Sequence, residues 1–246
     1  MEVINNNGQV TINATDLSPD EIKELQNMGF DVAEQGSERW HADRLGDATA
    51  SRAIDIVKRV YKTKDNPEGR PSDTYYTYAN ELVAERITGK DKRFSTNHTR
   101  WGNEKEAEAA EAYEERTGNE VRESEYVKHR TLRAGASPDR LVNDEGLMEI
   151  KCPNTDTFVS FVLFLKGKDD KEPRDWQKYY YQMQYQMWIT NRKWCDFVLY
   201  DPEITETNPL YIHHVKRDLA VMKQFERLVP KFLQSVDRKE RIIKEL

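Results

Sequence analysis

The chain has 246 residues, a formal net charge of -6, 37% hydrophobic residues and 33% charged ones. That length amounts to one large domain or two small ones and suffices for a sizeable core, and no stretch approaches the ~20 apolar residues of a membrane span. The acidic balance counts against a strongly basic nucleic-acid binder, although the distribution of charge decides such contacts more than its sum.

The opening MEVINNNGQV shows no basic region followed by an apolar run, which predicts no secretory leader. Two cysteines, Cys152 and Cys195, form no disulfide framework and predict a reduced, intracellular setting. Short apolar patches flank Asn5-Asn6-Asn7-Gly8 and predict a weak hairpin or a loose arm over 3–12. Ser18, Pro19 and Glu21 then open a helix that Gly29 stops. Around RLGDATAS, Arg44 and Ser51 flank the start of a further helix near Thr49. Helix N-termini bind phosphate through free amides, but a capped helix with a surface arginine is the favoured reading of that signal alone. Residues 62–73, with two prolines and a glycine, predict an exposed loop, and Ser72 or Asp73 caps a helix ending at Gly89. Another helix runs from about Thr99 to Thr117 and stops at Gly118. Strands are predicted at 120–128, 132–135, 139–143 and 146–152, helices at 155–166 and 174–190, strands near 195–200 and 209–215, and a long helix from about Asp218. The order predicts one mixed α/β domain.

Chemistry concentrates in Ser137-Pro138-Asp139 and Glu149-Ile150-Lys151. Alternation along the 146–152 strand puts Leu147, Glu149 and Lys151 on one face and Met148, Ile150 and Cys152 on the other. A hairpin would bring Asp139 beside Glu149, and two close carboxylates suit a hard cation such as Mg²⁺. Lys151 would position or deprotonate a water, or stabilise charge growing on a phosphate. A solvated face of alternating charges is the competing reading.

On the 99–117 helix, Glu104, Glu108, Glu111 and Glu115 form a solvated stripe, whereas Glu106 shares a face with Ala109, Ala110 and Tyr113. A carboxylate on an apolar face needs a partner; a metal and an arginine are equally good candidates on periodicity. On the 174–190 helix Gln182 and Gln186 are i,i+4 neighbours, and the surrounding tyrosines read as core rather than as a stacking platform for bases.

Together, EQGSERWHADRLGDATAS (34–51), WGNEKEAEAAEAYEERTG (101–118), AGASPDRL (134–141), GLMEIKCP (146–153), QMQYQMWIT (182–190) and YDP (200–202) resemble the bacteriophage lambda exonuclease family, the YqaJ-type viral recombinases. The resemblance runs from about residue 31 onward, leaving residues 1–30 as an N-terminal extension of unassigned role before a single nuclease domain over 31–246. It implies a PD-(D/E)xK restriction-endonuclease-like core, a central mixed β-sheet flanked by helices. It implies a processive, Mg²⁺-dependent 5′→3′ exodeoxyribonuclease acting on double-stranded DNA ends. The products would be 5′-mononucleotides and a 3′ single-stranded tail.

By position, the resemblance makes Asp139, Glu149 and Lys151 catalytic. Glu106, Asp139, Glu149 and the Ile150 backbone carbonyl would be ligands of two Mg²⁺ ions per active site, with Mn²⁺ able to substitute. Arg44, Ser51, Ser137 and Gln182 would grip the 5′-phosphate. The resemblance further implies a homotrimeric ring, a single-strand annealing protein as partner, no membrane, and the cytoplasm of a bacterial host carrying a phage or prophage. The 58–73 loop departs from the family; there the family approaches DNA, a role that Lys58, Arg59, Lys62, Lys64 and Arg70 suit without any one being assignable. A site-specific endonuclease of the same fold would share the trio. A non-catalytic DNA-end-binding protein would not need it intact. An iron–sulfur nuclease would need about four cysteines, and a helicase–nuclease a GxxxxGK[ST] loop; both are missing from the sequence.

Overall fold

The computed structural model of the chain describes residues 4–6, 9–11, 42–90 and 98–246; the helix expected from Ser18 lies outside them. In chain order the strands are β1 (Ile4–Asn6), β2 (Gln9–Thr11), β3 (Ala48–Thr49), β4 (Arg59–Val60), β5 (Arg70–Pro71), β6 (Val121–Glu123), β7 (Val127–Lys128), β8 (Ala134–Ala136), β9 (Arg140–Val142), β10 (Gly146–Lys151), β11 (Trp194–Tyr200) and β12 (Leu210–Lys216). The helices are α1 (Ala53–Val57), α2 (Asp73–Thr88), α3 (His98–Thr117), α4 (Thr155–Leu165), α5 (Trp176–Thr190) and α6 (Leu219–Lys244).

Local chemistry explains most of these limits. Gly89 and Gly118 both adopt positive φ just past a helix and return their N–H to Glu85 and Glu114, a conformation that glycine adopts without steric cost. Asn154 caps α4 by accepting from Thr157 N, and Asp218 caps α6 by accepting from Ala220 N and Val221 N. Of the two readings of the start, the hairpin is present as the antiparallel pair β1–β2, with Ile4 opposite Thr11.

The main sheet has the order β12-β11-β10-β9-β6. β10 and β11 run parallel, and their connection passes through α4 and α5; the other neighbours are antiparallel. The two faces of β10 separate as the alternation predicts, and both are buried. Leu147 joins Phe158, Phe161, Met183 and Phe197 between the sheet and the α4–α5 layer. Met148 and Ile150 join Ala109, Ala110 and Tyr113 of α3 on the opposite side. A third cluster packs α1, α2 and α6 around Tyr185 of α5, so α5 lies between two cores.

Three expectations need correction. The strand expected over 120–128 is two strands in two sheets: β6 pairs with β9, whereas β7 pairs with β8 in the small sheet β3-β8-β7. The chain crosses at buried Ser124, and Tyr126 hydrogen-bonds Asp47 Oδ2 at 3.2 Å, on the side of the second sheet. The helix expected near Thr49 opens as a 3-10 turn (Ala50–Arg52) and becomes α-helical only at Ala53, since Thr49 is still paired in β3. The 62–73 loop is closed at its base by the β4–β5 pair, with Pro71 at the edge.

Candidate active site

β9 and β10 form the expected hairpin, and its register sets Met148 opposite Arg140. Asp139 and Glu149 are therefore neighbours. Asp139 Oδ2 accepts from the Ile150 N–H at 2.7 Å, fixing this carboxylate to the strand that carries Glu149. Glu149 is fully buried. Its Oε1 accepts from Gln182 Nε2 and Lys151 Nζ, each at 2.6 Å, and its Oε2 accepts from Gln186 Nε2 at 2.6 Å.

Lys151 Nζ also donates to the Ile150 carbonyl at 2.7 Å, stands 3.7 Å from Asp139 Oδ2, and lies 5.4 Å from the centre of the Tyr179 ring. Burial opposes its charge, but Glu149 and Asp139 outweigh burial and raise its pKa. In this state Lys151 is an ammonium, a donor and a point charge rather than a base.

Glu106, on α3, is half-buried. Burial and then the negative charge of Asp139 push its carboxyl up to about 7, with Lys151 and Arg140 opposing. Glu149 is likewise pushed up to about 7 by burial and then by Asp139. Three carboxyls thus act on one another, and the positive charges that oppose the shift of Glu106 are those of Lys151 and Arg140.

The donor set fits a hard divalent cation. Asp139, Glu149 and the Ile150 carbonyl present oxygen atoms only, and all three already converge on a cation, the Lys151 ammonium. Among the described residues, no three acidic, histidine or cysteine side chains stand together as a ready-made metal group.

The two serines expected to grip a phosphate lie at one end of the small sheet. β3 and β8 run parallel with Thr49 level with Gly135. Each strand then runs on two residues to a serine, Ser51 in the 3-10 turn and Ser137 before Pro138-Asp139. Both serines are half-buried, as is Arg44, whose charge acts on the Tyr126 phenol. Tyr185 OH donates to Ala48 O at 3.0 Å, tying α5 to β3. Gln182 extends instead to Glu149. Asp201 of the YDP segment binds Thr155 Oγ1 at 2.6 Å and steadies the start of α4, just past Lys151.

Gln186 has no role in the sequence reading, although its i,i+4 spacing from Gln182 puts both amides on one helix face, here the face on Glu149. Tyr179 shares that face, and its ring packs against Phe161 and Phe197 as well as toward Lys151, so the tyrosines of α5 are core, as expected.

Comparison with known proteins places these residues in context. The family model of the YqaJ-like viral recombinase domain matches residues 39–193. No curated protein matches the chain. Among solved structures, the alkaline exonuclease LHK-Exo from Laribacter hongkongensis is 34% identical, covering 85% of this chain and 97% of its own, with a TM-score of 0.69. The same enzyme in complex with dAMP matches at 35% identity and 0.69. A phage-related exonuclease from Haemophilus somnus 129PT, 18% identical, covers 81% of this chain and 96% of its own with a TM-score of 0.63, a likeness of fold.

Proposed function

The chain belongs to the YqaJ-like viral recombinase family, and from that premise we propose that it is a divalent-metal-dependent exodeoxyribonuclease that degrades one strand of linear duplex DNA from its 5′ end. The nuclease domain would span 31–246. The observation that carries this reading is the convergence of Asp139, Glu149 and the Ile150 carbonyl on a cation. A structural relative is an alkaline exonuclease also seen with dAMP, a mononucleotide, which supports the substrate class.

In this reading Glu106, Asp139, Glu149 and the Ile150 carbonyl hold Mg²⁺, two ions per site, with Mn²⁺ able to replace them; bound there, Mg²⁺ supplies an acidified water and charge neutralisation at the scissile phosphate. Lys151, released from Glu149, offers its ammonium to the charge that builds on the phosphate oxygens. Ser51, Ser137 and Arg44 seat the 5′-phosphate, with Arg44 supplying the positive charge. Gln182 turns from Glu149 to join them. A pocket that only a terminal phosphate fills explains 5′→3′ direction, 5′-mononucleotide products and a 3′ single-stranded tail.

A homotrimeric ring reconciles this with the net charge of -6: basic side chains line a channel and the outer surface stays acidic. Processivity would follow from threading. A single-strand annealing protein would take the tail, in the cytoplasm of a host carrying a phage or prophage. Light scattering on the eluted protein tests the trimer, and a salt-insensitive DNA affinity would contradict the basic channel.

The decisive experiment is digestion of a linear duplex carrying one 5′-phosphate, with and without Mg²⁺. We expect only the phosphorylated strand to disappear, and only with the metal, while a closed circular duplex survives. Cutting of the circle would instead make the protein an endonuclease of the same fold, and uncut DNA under every condition a DNA-end-binding protein.

A further inference from the structure

Two glutamines of α5 are fully buried, two residues apart, and used differently. Gln184 is satisfied at both ends of its amide: Nε2 donates to Lys216 O at 2.9 Å and Oε1 accepts from Asp218 N at 2.9 Å. Gln186 gives its Nε2 to Glu149 at 2.6 Å, and its Oε1 finds no hydrogen-bond partner among the described residues. A buried acceptor without a partner is uncommon and calls for a reason. A glutamine serving the core alone would be placed as Gln184 is.

The donors on Glu149 divide in a telling way. Oε1 is shared by Gln182 and Lys151, and both have other work in the reaction proposed above. Oε2 is held by Gln186. Once Lys151 and Gln182 turn away, Gln186 is the donor that stays on the carboxylate, and it keeps Oε1 toward the place of the Lys151 ammonium, which the Ile150 carbonyl and Asp139 also approach. We propose that Gln186 is a positioning residue, fixing the rotation of the Glu149 carboxylate for metal binding and preserving it when Lys151 gives way to the cation. This rests on the metal-dependent reading of the site.

The test is calorimetric titration of the full chain with Mn²⁺, comparing the parent with Gln186→Leu and Gln184→Leu. Groups that orient a metal ligand typically contribute 10–100-fold in metal affinity, and we expect Gln186→Leu to lose about that much. Its KM for linear duplex should stay at the parent value, while kcat falls and recovers as Mn²⁺ is raised. Gln184→Leu should lower the thermal midpoint and leave Mn²⁺ affinity unchanged. Should Gln186→Leu not fold, Gln186→Met, of similar length without the donor, takes its place with the same expectation. Parent-like Mn²⁺ affinity in the Gln186 variant overturns the assignment alone, as does an equal loss in Gln184→Leu. A parent chain that binds no Mn²⁺ overturns the metal-dependent reading and this inference with it.

Discussion

The Asp139–Glu149–Lys151 cluster and the serine end of the β3–β8 pair adjoin at Ser137-Pro138-Asp139, yet they are built on opposite principles. The first is closed: acids and an ammonium satisfy one another within 2.6–3.7 Å. The second, in the functional reading, brings together an arginine, two serines and the Gln182 amide, all of them groups able to donate. Opposite charges assemble a site that holds itself in place without ligand. A site built from donors takes its definition from the anion that fills it. In the functional reading Gln182 is common to both; its amide donates to the Glu149 carboxylate.

The sharpest way to break that contrast is Lys151→Ala. We expect Mg²⁺-dependent digestion of linear duplex to fall about 10²–10⁴-fold, the range for a group acting directly on the reacting centre; a parent rate would remove Lys151 from the chemistry. The metal-free protein should also lose about 3 kcal/mol, the low end for breaking a buried pair because Lys151 is a quarter exposed, measurable by urea unfolding in chelator.

Arg44→Ala probes the other region. A hydrogen bond to a charged group contributes roughly 1.5–3 kcal/mol, so initiation on 5′-phosphorylated ends should drop about 10–100-fold toward the rate on 5′-hydroxyl ends. Equal rates on both ends in the parent would dissolve the phosphate pocket. Smaller is the effect of Arg192→Ala. Arg192 Nη1 donates to the carbonyls of Val142, Asn143 and Gly146 and so ties the turn of the β9–β10 hairpin. We expect a loss of about 1–2 kcal/mol with end preference untouched.

The pH response distinguishes the two regions by direction. Glu106 and Glu149 are both pushed from 4.5 up to about 7. Between those values the folded chain binds more protons than the unfolded one, so these groups make stability fall as pH rises. In chelator, the thermal midpoint should decline from about pH 5 to about pH 7.5, and Mg²⁺ should restore it most above pH 7, where both carboxyls are charged. A donor-only region contributes no such slope. Loss of the decline in Glu149→Gln would assign it to the cluster.

Much of this was legible in residue order because the forces are local. Alternation in GLMEIK sorts the two faces of β10, and glycines and asparagine or aspartate caps mark the helix limits. The resemblance adds what no period contains, the joining of Glu106 to Asp139 across tens of residues. What escaped depends on pairing between distant segments. Ser124 gives no turn signal for the jump from one sheet to the other, and β4–β5 close a loop with two residues each. Gln186 escaped because a glutamine among tyrosines and methionines looks like filler until its amide is seen on Glu149.

The ammonium seated among Asp139, Glu149 and the Ile150 carbonyl has a consequence for biosynthesis. A domain whose ion completes its structure must find that ion before it can fold. Here a tethered cation neutralises the acids as soon as the β9–β10 hairpin closes, a local event joining residues about ten apart. A newly made chain can therefore reach its native shape on its own; in the metal-dependent reading proposed above, divalent ions would then arm it rather than build it.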